Sequence, residues 1–531
     1  MPPGHPTPEP SHDHTRWWTL LAVCLGTFML LLDITIVNVA LPDIQQSLTS
    51  SFADLQWVVD AYALTLASLL LTAGSLADMY GRRRLYLAGL GVFTAASVLC
   101  GVASSTLMLE LSRGLQGVGG AVMFSVSLAL LANAFRGRER GVAFGVWGSI
   151  NGVAVAVGPV LGGALVSGFS WRAIFFVNLP IGLGAIALTL ARVAESRERG
   201  VRRPDWAGFV LFTAGLGCLV YALIEAGRRT FTDPLVLGCF GAAAVLLVVF
   251  VALEALGRHP MFDLALFRLP TFSGGAIAAF GISASLYSML LYLVLYLQDV
   301  LGYSAFGTGL RLLVLSGCVL AVAGIAGRLT AHVPVRLLIG AGLLLTGAGL
   351  LLMRGLTASS SWTHLIAGLA VAGVGSGFVN PPLASTAVGV VAPQRAGMAS
   401  GINSTFRQVG IATGIALLGT LFSNRLTSGV TDLVAGTPLA DRGEQIASAL
   451  RSGQAGRLFQ HARSHAEAET LQHIARSSFT TALDHILLVA AVIALVTGVA
   501  AFALIRSKDF AEHPGGGTPQ HDRTTAARTS T

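Results

Sequence analysis

Charged side chains are scarce in this sequence. They make up 11% of its 531 residues, whereas hydrophobic residues make up 53%. A soluble chain carries about 25% charged residues, and the mean hydropathy here is correspondingly high, at +0.71. Most of the protein surface must therefore face something other than water. This excludes an ordinary soluble enzyme and a soluble nucleic-acid-binding protein.

Cysteine is also rare and follows no pattern. The five cysteines stand singly in apolar runs, without CxxC spacing, so we expect small buried hydrophobic residues and not metal ligands. Glycine is abundant, at 63 residues. However, the glycine-rich stretches 114–120 and 373–377 lack the strand-to-helix context of a phosphate-binding loop. The sequence predicts no metal site and no cofactor.

Long apolar runs are what the sequence has in quantity. A helix needs about 20 apolar residues to span a bilayer, and about fourteen runs qualify. They cover residues 17–40, 55–77, 85–105, 107–132, 141–166, 173–194, 206–226, 235–256, 272–297, 306–328, 335–355, 363–391, 398–422 and 481–505. The first run follows a polar segment without the basic region of a signal peptide, so we expect a retained helix. These runs predict an all-α polytopic membrane protein with about 14 transmembrane helices.

The arginines between the runs predict the orientation. They concentrate after even-numbered spans, as at 82–84 and 136–140. Because positively charged loops stay in the cytoplasm, we expect cytoplasmic termini and an external loop at 423–480. The same rule accounts for the net charge of +8, which in a soluble protein would suggest a nucleic-acid partner. We expect no nucleic acid and no obligate protein partner.

Charges inside the predicted spans are candidates for function, because a charge in hydrocarbon is costly. Asp33, Asp60 and Arg113 lie on spans 1, 2 and 4, each about 8–10 Å from the outer end by helix rise. A buried arginine needs a carboxylate partner, which Asp33 or Asp60 can supply. We favour Asp33 and Arg113. For Asp60, an interfacial position with no special role is an equal alternative.

The loop between spans 2 and 3 is a candidate gate. It contains Gly74, Asp78, Gly81, Arg82 and Arg83. An aspartate at a helix C-terminus is disfavoured by the helix dipole, so Asp78 should pair with an arginine. A breakable ion pair at the cytoplasmic rim would act as a latch. The alternative is that the arginines only set the topology.

Span 5 is rich in glycine around one proline. Gly145, Gly158, Pro159, Gly162 and Gly163 lie on it. Proline kinks a helix, and closely spaced glycines let a second helix approach. We expect a seal or rocking contact here, with ordinary small-residue packing as the alternative.

Several of these segments resemble the major facilitator superfamily. The loop 74–84 (GSLADMYGRRR) resembles its signature loop, and span 4 at 111–119 (LSRGLQGVG) resembles its LxxRxxQGxG motif. Span 5 at 158–163 (GPVLGG) is similar to the antiporter motif. Span 1 at 32–42 and the stretches 171–180 and 397–410 are similar to the fourteen-span drug:proton antiporters.

The resemblance implies two six-helix bundles around a central cavity, with two extra helices between them. The domains expected are a cytoplasmic tail at 1–16, a first bundle at 17–194 and the extra helices with their loops at 195–271. The second bundle follows at 272–505, and a disordered cytoplasmic tail at 506–531. A weak echo of residues 74–94 in 324–345 also suggests two related halves.

The resemblance also implies roles for individual residues. Asp33 comes first for proton coupling, together with Arg113 and then Asp60. A set of polar residues, proposed more weakly, would line the substrate cavity. These are Asn38, Gln116, Asn403, Arg407 and Gln408.

The function expected is a proton-coupled antiporter of the cytoplasmic membrane. It would export small amphipathic compounds such as drugs or antibiotics, with protons, a small-molecule substrate and the bilayer as its partners. The first alternative is a dedicated exporter of one self-made metabolite or siderophore. A membrane-embedded enzyme or a receptor is a second alternative. It is disfavoured because the histidines are dispersed and the chain has no large soluble domain.

The predicted orientation is testable by labelling. A cysteine introduced near Leu433, in the predicted external loop, should react with a membrane-impermeant maleimide in intact cells. Reaction only after permeabilisation would reverse the orientation of every span.

Overall fold

The computed structural model describes residues 13–135, 137–196, 206–229, 232–256, 264–330, 332–391, 396–435, 439–451 and 465–509. Within these ranges the chain is helical and contains no strand. The predicted tails fall mostly outside: residues 1–12 and 510–531 are not among the described residues. α1 already begins at Asp13, so the last residues of the predicted tail 1–16 belong to the first helix.

Seven helices form the first half of the described chain. They are α1 (Asp13–Leu48), α2 (Phe52–Tyr80), α3 (Arg82–Gly101), α4 (Thr106–Ala134), α5 (Gly137–Gly168), the short α6 (Ala173–Phe176) and α7 (Asn178–Arg192). α6 and α7 together form one span, Ala173–Arg192. α8 (Trp206–Arg228) and α9 (Pro234–Leu256) follow.

The second half repeats this arrangement. Its helices are α10 (Pro270–Ile282), α11 (Ser288–Leu295), α12 (Ala305–Leu329), α13 (Val335–Leu352), α14 (Ile366–Gly389), α15 (Ala396–Val434), α16 (Gly443–Arg451) and α17 (His465–Leu504). Two π-helical turns, Ser283–Tyr287 and Tyr296–Val300, join α10 and α11 into one span and extend it.

The number of spans agrees with the prediction. The described residues contain twelve helical segments that are long and apolar enough to cross a membrane. α2 and α5, with 29 and 32 residues, are also long enough, which brings the total to about fourteen. The chain is therefore an all-α, multi-pass membrane protein.

Helix packing divides the molecule into two similar bundles. In the first bundle α4 packs against α2 and α3, and α1 packs against α5 and α7; in the second, α14 packs against α12 and α13, and α10 against α15 and α17. Between bundles, α2 meets α15 and α12 meets α5. The second helix of each bundle thus meets the fifth helix of the other, as expected for two repeats related by a pseudo-two-fold axis. α8 packs against α2, α9 and α15.

The two ends of the bundles differ. We call the end where α1 begins and α17 ends the terminal face, and the opposite end, which carries α16, the hairpin face. The predicted loop 423–480 lies at the hairpin face and is largely helical, because α15 continues to Val434 and α17 starts at His465. Buried residues of α15, α16 and α17 form a small core there, including Val430, Ile446 and Leu471. Counting spans by the length of apolar runs did not detect these helical extensions, because they are amphipathic.

Glycines bring the two bundles into contact near the hairpin face. A Cβ on Gly163 of α5 would come within 2.6 Å of the Ala305 carbonyl oxygen of α12, and one on Gly309 would collide with the Pro159 carbonyl. The backbone N–H of Phe306 also donates to the Ser167 hydroxyl, at 3.1 Å. The backbones of α5 and α12 thus touch at these glycines, and with the Ser167 hydrogen bond they hold the two bundles together at the hairpin face.

The contact predicts a defect for larger residues at Gly163. Overpacking costs about 1–3 kcal/mol, so Gly163→Leu should reduce the closed population by about fivefold to 150-fold and abolish the export predicted from the sequence. Cross-linking of a Ser167→Cys/Phe306→Cys pair, in a chain without the native cysteines, reports closure. Gly168→Leu is the control, because a Cβ there meets no atom within 4 Å. Normal cross-linking and export in Gly163→Leu would show that the contact is not needed.

Candidate functional site

A cluster of polar side chains is buried inside the first bundle. Its members come from four helices: Asp33 on α1, Ser97 on α3, Arg113 and Gln116 on α4, and Asn178 at the start of α7. Each is at most 1% exposed. Charge this deeply buried is tolerated only when it is paired and hydrogen-bonded. We refer to these five residues as the buried polar cluster.

Small residues on α4 allow the cluster to form. A Cβ on Gly117 would collide with Thr65 and the Tyr62 carbonyl of α2, and one on Gly119 would come within 2.5 Å of the Phe93 nitrogen of α3. α4 therefore packs directly on the backbones of α2 and α3. Arg113 and Gln116 are three residues apart and share one face of α4.

Arg113 is satisfied by three oxygen acceptors. Its Nη1 donates to Oδ2 of Asp33 at 2.5 Å and to Oε1 of Gln116 at 2.6 Å, and its Nε donates to the Val58 carbonyl of α2 at 3.0 Å. The Tyr62 ring lies over the guanidinium, 4.4 Å from ring centroid to Cζ. Of the two carboxylates considered for Arg113, the structure pairs it with Asp33.

The second oxygen of Asp33 is held equally firmly. Its Oδ1 accepts hydrogen bonds from Gln116 Nε2 at 2.7 Å and from Asn178 Nδ2 at 2.9 Å. Both amides also donate to the Ser97 hydroxyl, at 2.9 and 3.3 Å. Asp33 thus accepts three hydrogen bonds, one of them charge-assisted.

Sequence reasoning missed Asn178, Ser97 and Tyr62. Asn178 lies in the stretch 171–180, which resembles the family. A single asparagine at the start of an apolar span does not indicate which residue it bonds, here Asp33. Gln116 was predicted to line the substrate cavity. The structure places it inside the buried polar cluster, with no exposed surface.

Asp60 has a very different environment. It is 1% exposed, and neither carboxyl oxygen has a hydrogen-bond partner among the described residues. It lies near Tyr292 of α11. One helical turn before it, the Gln56 amide approaches Gly419 of α15. Asp60 therefore lies where the two bundles meet, away from Arg113.

The candidate gate loop is tied to the segment after α7. Gly81 has φ +110°, a conformation that favours glycine. The backbone N–H groups of Arg83 and Arg84 donate to the Glu195 carboxylate at 3.1 and 3.2 Å, and that of Arg82 donates to the Ser196 carbonyl at 2.9 Å. Glu195 thus places a negative charge at the N-terminus of α3, where the helix dipole favours it.

The remaining gate residues are placed in part. Gly74 packs against α4, because a Cβ there would lie 2.8 Å from the Ser125 hydroxyl. The side chain of Asp78 and the surroundings of Gly145 lie outside the described part of the structure. The latch between Asp78 and an arginine stays a prediction.

Span-5 glycines contact two different helices. Gly158 and Gly162 face α1, where a Cβ would collide with Thr35 or come within 2.7 Å of the Ile36 side chain. Gly163 faces α12 instead. Pro159 lies inside α5, and its carbonyl forms part of the contact with Gly309. The motif therefore packs α5 within its own bundle and against the other one.

The other predicted cavity residues are distributed over two helices. Asn38 on α1 and Gln408 on α15 are half-buried, and Asn403 is buried. Arg407 on α15 is half-buried and donates to Asn380 of α14 at 2.8 Å. Arg407 and Asn380 thus bring α14 and α15 together in the second bundle.

The buried ion pair predicts coupled behaviour of its two members. Removing one partner of such a pair leaves an uncompensated charge and costs about 3–5 kcal/mol. Asp33→Asn and Arg113→Ala should each abolish export and lower the melting temperature of the purified protein. The double variant should be no worse than either single one, with a coupling energy of about 1–3 kcal/mol. Additive losses in the double variant would show that the two residues act independently.

Comparisons with known proteins agree with this architecture. The family model of the Major Facilitator Superfamily matches residues 23–415. The chain is 40% identical over 417 residues to the multidrug resistance protein Stp of Mycobacterium tuberculosis (strain CDC 1551 / Oshkosh), covering 78% of each protein. It is 34% identical over 500 residues to the tetracenomycin C resistance and export protein of Streptomyces glaucescens, covering 93% of this chain and 92% of that one.

A solved structure shares the fold. It is a bacterial homolog of the human lysosomal transporter Spinster in an inward-facing and occupied conformation, with a TM-score of 0.61 and 18% sequence identity. The match covers 95% of this chain and 99% of that one. From its sequence, its helix count and its packing, the chain belongs to the major facilitator superfamily.

Proposed function

We propose that this chain is a proton-coupled antiporter that exports small amphipathic compounds across the cytoplasmic membrane by alternating access. Its relatives are named for multidrug resistance and for resistance to and export of tetracenomycin C. Two bundles that meet through glycines at the hairpin face provide the rocking elements. The terminal face is the cytoplasmic one in this proposal.

The proposal of proton coupling rests on the environment of Asp60, which is buried without a hydrogen-bond partner among the described residues. A carboxylate buried without a hydrogen-bond partner or a cation is strongly destabilised, whereas the neutral acid costs much less. Asp60 is therefore best accommodated with a proton in this conformation. Because it lies between α2 and the second bundle, gain or loss of its proton changes the energy of bundle contact. A proton can thereby bias the switch between the two access states.

Asp33 has a complementary role in this proposal. We expected it to be the first proton-coupling residue, and here both of its oxygens accept hydrogen bonds from Arg113, Gln116 and Asn178. Opening the pair requires these donors to move away from Asp33. In this proposal the pair Asp33–Arg113 holds the first bundle together, and Asp60 binds the proton first.

The gates complete the cycle. Contact between α5 and α12 closes the hairpin face, and the cytoplasmic gate is the junction of α2 and α3 at Gly81. The residues predicted as a loop are helical on either side of it: Gly74 and Asp78 on α2, and Arg82 and Arg83 on α3. Glu195 supports this gate by holding the backbone of Arg83 and Arg84. When the two bundles move apart or together at the terminal face, release of these hydrogen bonds would allow the junction of α2 and α3 to move.

A dedicated exporter of a single compound is the second candidate. It is favoured by the similarity, over 93% of this chain, to a protein named for one antibiotic. A susceptibility panel in a pump-deficient host separates the two candidates. Protection against many unrelated compounds supports broad export, and protection against one supports dedicated export.

The proton site predicts the behaviour of Asp60→Asn. The amide mimics the neutral acid, so the protein should insert and bind substrate normally. In inverted vesicles, substrate uptake driven by an imposed pH gradient should fall to the level of empty vesicles. Asp432→Asn, an exposed charge on the α15 extension, is the control and should transport normally. Gradient-driven transport retained by Asp60→Asn would place the proton on another residue, Asp33 being the next to test.

A further inference from the structure

Arg407 is a cation within a transmembrane span. It follows the start of that span at Gly401 by six positions, or about 9 Å along the helix axis. The span that contains it runs from Gly401 to Val434. A charge at such a depth is costly unless a counter-charge or water compensates it. The partners of this guanidinium are therefore informative.

All of its observed partners are neutral. Arg407 Nη2 donates to Oδ1 of Asn380 at 2.8 Å, and the Tyr287 ring lies 5.9 Å from its Cζ. Within the described ranges, no carboxylate forms an ion pair with Arg407. Arginines that do form such pairs include Arg16, Arg84, Arg113, Arg229, Arg354 and Arg442.

Neighbouring side chains hold the guanidinium in place. The Asn380 amide that accepts from Arg407 donates through Nδ2 to the Tyr287 hydroxyl at 2.8 Å and to the Ser376 carbonyl at 3.0 Å. These two hydrogen bonds set the orientation of the Asn380 amide. Its oxygen in turn holds the Nη2 group of Arg407 in place. A guanidinium has five N–H donors, so most of them stay available. The site is preorganised for a further acceptor.

Arg113 shows the opposite case. Its donors are used by Asp33, Gln116 and Val58, and it is 1% exposed. Arg407 is half-buried, so part of its side chain remains accessible. Arg113 thus belongs to a closed structural pair, whereas Arg407 has the donors and the access that a ligand needs.

We propose that Arg407, positioned by Asn380 and Tyr287, binds the anionic group of an amphipathic substrate. A planar guanidinium matches a carboxylate or sulfonate through paired hydrogen bonds, and the Tyr287 ring offers an apolar surface beside the charge. The substrates favoured by this site are organic anions. This inference rests on the proposed export function and adds the substrate class to it.

The anion site is separate from the proton site. α2 and α15 run in opposite directions, and Gln56 of α2 meets Gly419 of α15. Arg407 lies 12 residues before Gly419, or about 18 Å along the axis towards the terminal face. Asp60 follows Gln56 by four residues, about 6 Å towards the same face, so the two sites are about 12 Å apart along the axis. Each site can therefore fail experimentally without the other.

The test compares two dyes that share a xanthene ring, anionic fluorescein and cationic rhodamine 6G. Binding to the purified full chain in nanodiscs is measured by fluorescence polarisation. The wild type should bind fluorescein more tightly. Arg407→Gln should raise the fluorescein Kd by about tenfold to a hundredfold, the range expected for lost charge-assisted hydrogen bonds. Its rhodamine 6G Kd should stay the same or fall.

Three further variants make the test specific. Arg407→Lys keeps the charge without the paired donors, so it should lose only part of the fluorescein affinity. Asn380→Leu should also weaken fluorescein binding, because it releases the guanidinium. Arg354→Gln, which removes an arginine paired with Asp484, should leave fluorescein binding unchanged. Retained rhodamine 6G binding shows that each variant is folded.

Two outcomes would overturn the proposal. One is unchanged fluorescein affinity in Arg407→Gln, and the other is an equal loss for both dyes. Failure of the export function is recognised separately. If the wild type prefers fluorescein through Arg407 but shows no gradient-driven transport, the anion site stands and proton-coupled export fails. If gradient-driven transport is present but the wild type shows no preference for fluorescein, proton-coupled export stands and the anion site fails.

Discussion

The ion pair between Asp33 and Arg113 organises the first bundle. Both side chains are almost fully buried, and a buried charge without its partner costs several kcal/mol, about 3–5 in typical cases. Their hydrogen bonds reach Ser97 of α3 and Asn178 of α7, and Arg113 also reaches the α2 backbone at Val58. Helices α1, α2, α3, α4 and α7 are thereby joined around one charged centre, which favours their movement as a unit.

Between the bundles the interactions are of another kind. The α5–α12 contact depends on glycines, which allow close approach and require no specific side-chain bonds. Apart from the hydrogen bond between Phe306 and Ser167, such a contact can separate without breaking a polar network. Asp60 lies at the other inter-bundle contact, between α2 and the second bundle, and lacks a partner. In our proposal its protonation affects the interface, whereas the Asp33–Arg113 pair stabilises the interior of the first bundle.

The buried and half-buried charges lie in three different places, and each place has a different role in our proposals. A closed pair stabilises the first bundle, a single carboxyl lies between the bundles, and a partly accessible arginine lies in the second bundle. In our proposals the carboxyl binds a proton and Arg407 binds an organic anion. Separate sites suit a transporter that must release one ligand before it takes up the other, because communication then passes through the bundle movement.

The sequence alone determined the class of the protein. The apolar runs were sufficient to predict about fourteen helices, and the motifs around Arg113 and Gly158 were sufficient to predict the family. The charges inside the runs identified Asp33 as a candidate functional residue. Only the tertiary structure decided which carboxylate pairs with Arg113, because Asp33 and Asp60 have similar depths and depth does not report how a helix is rotated. Asn178, Ser97 and Glu195 were missed for the same reason. Their partners lie on other helices, up to 145 residues away, and packing alone brings them together.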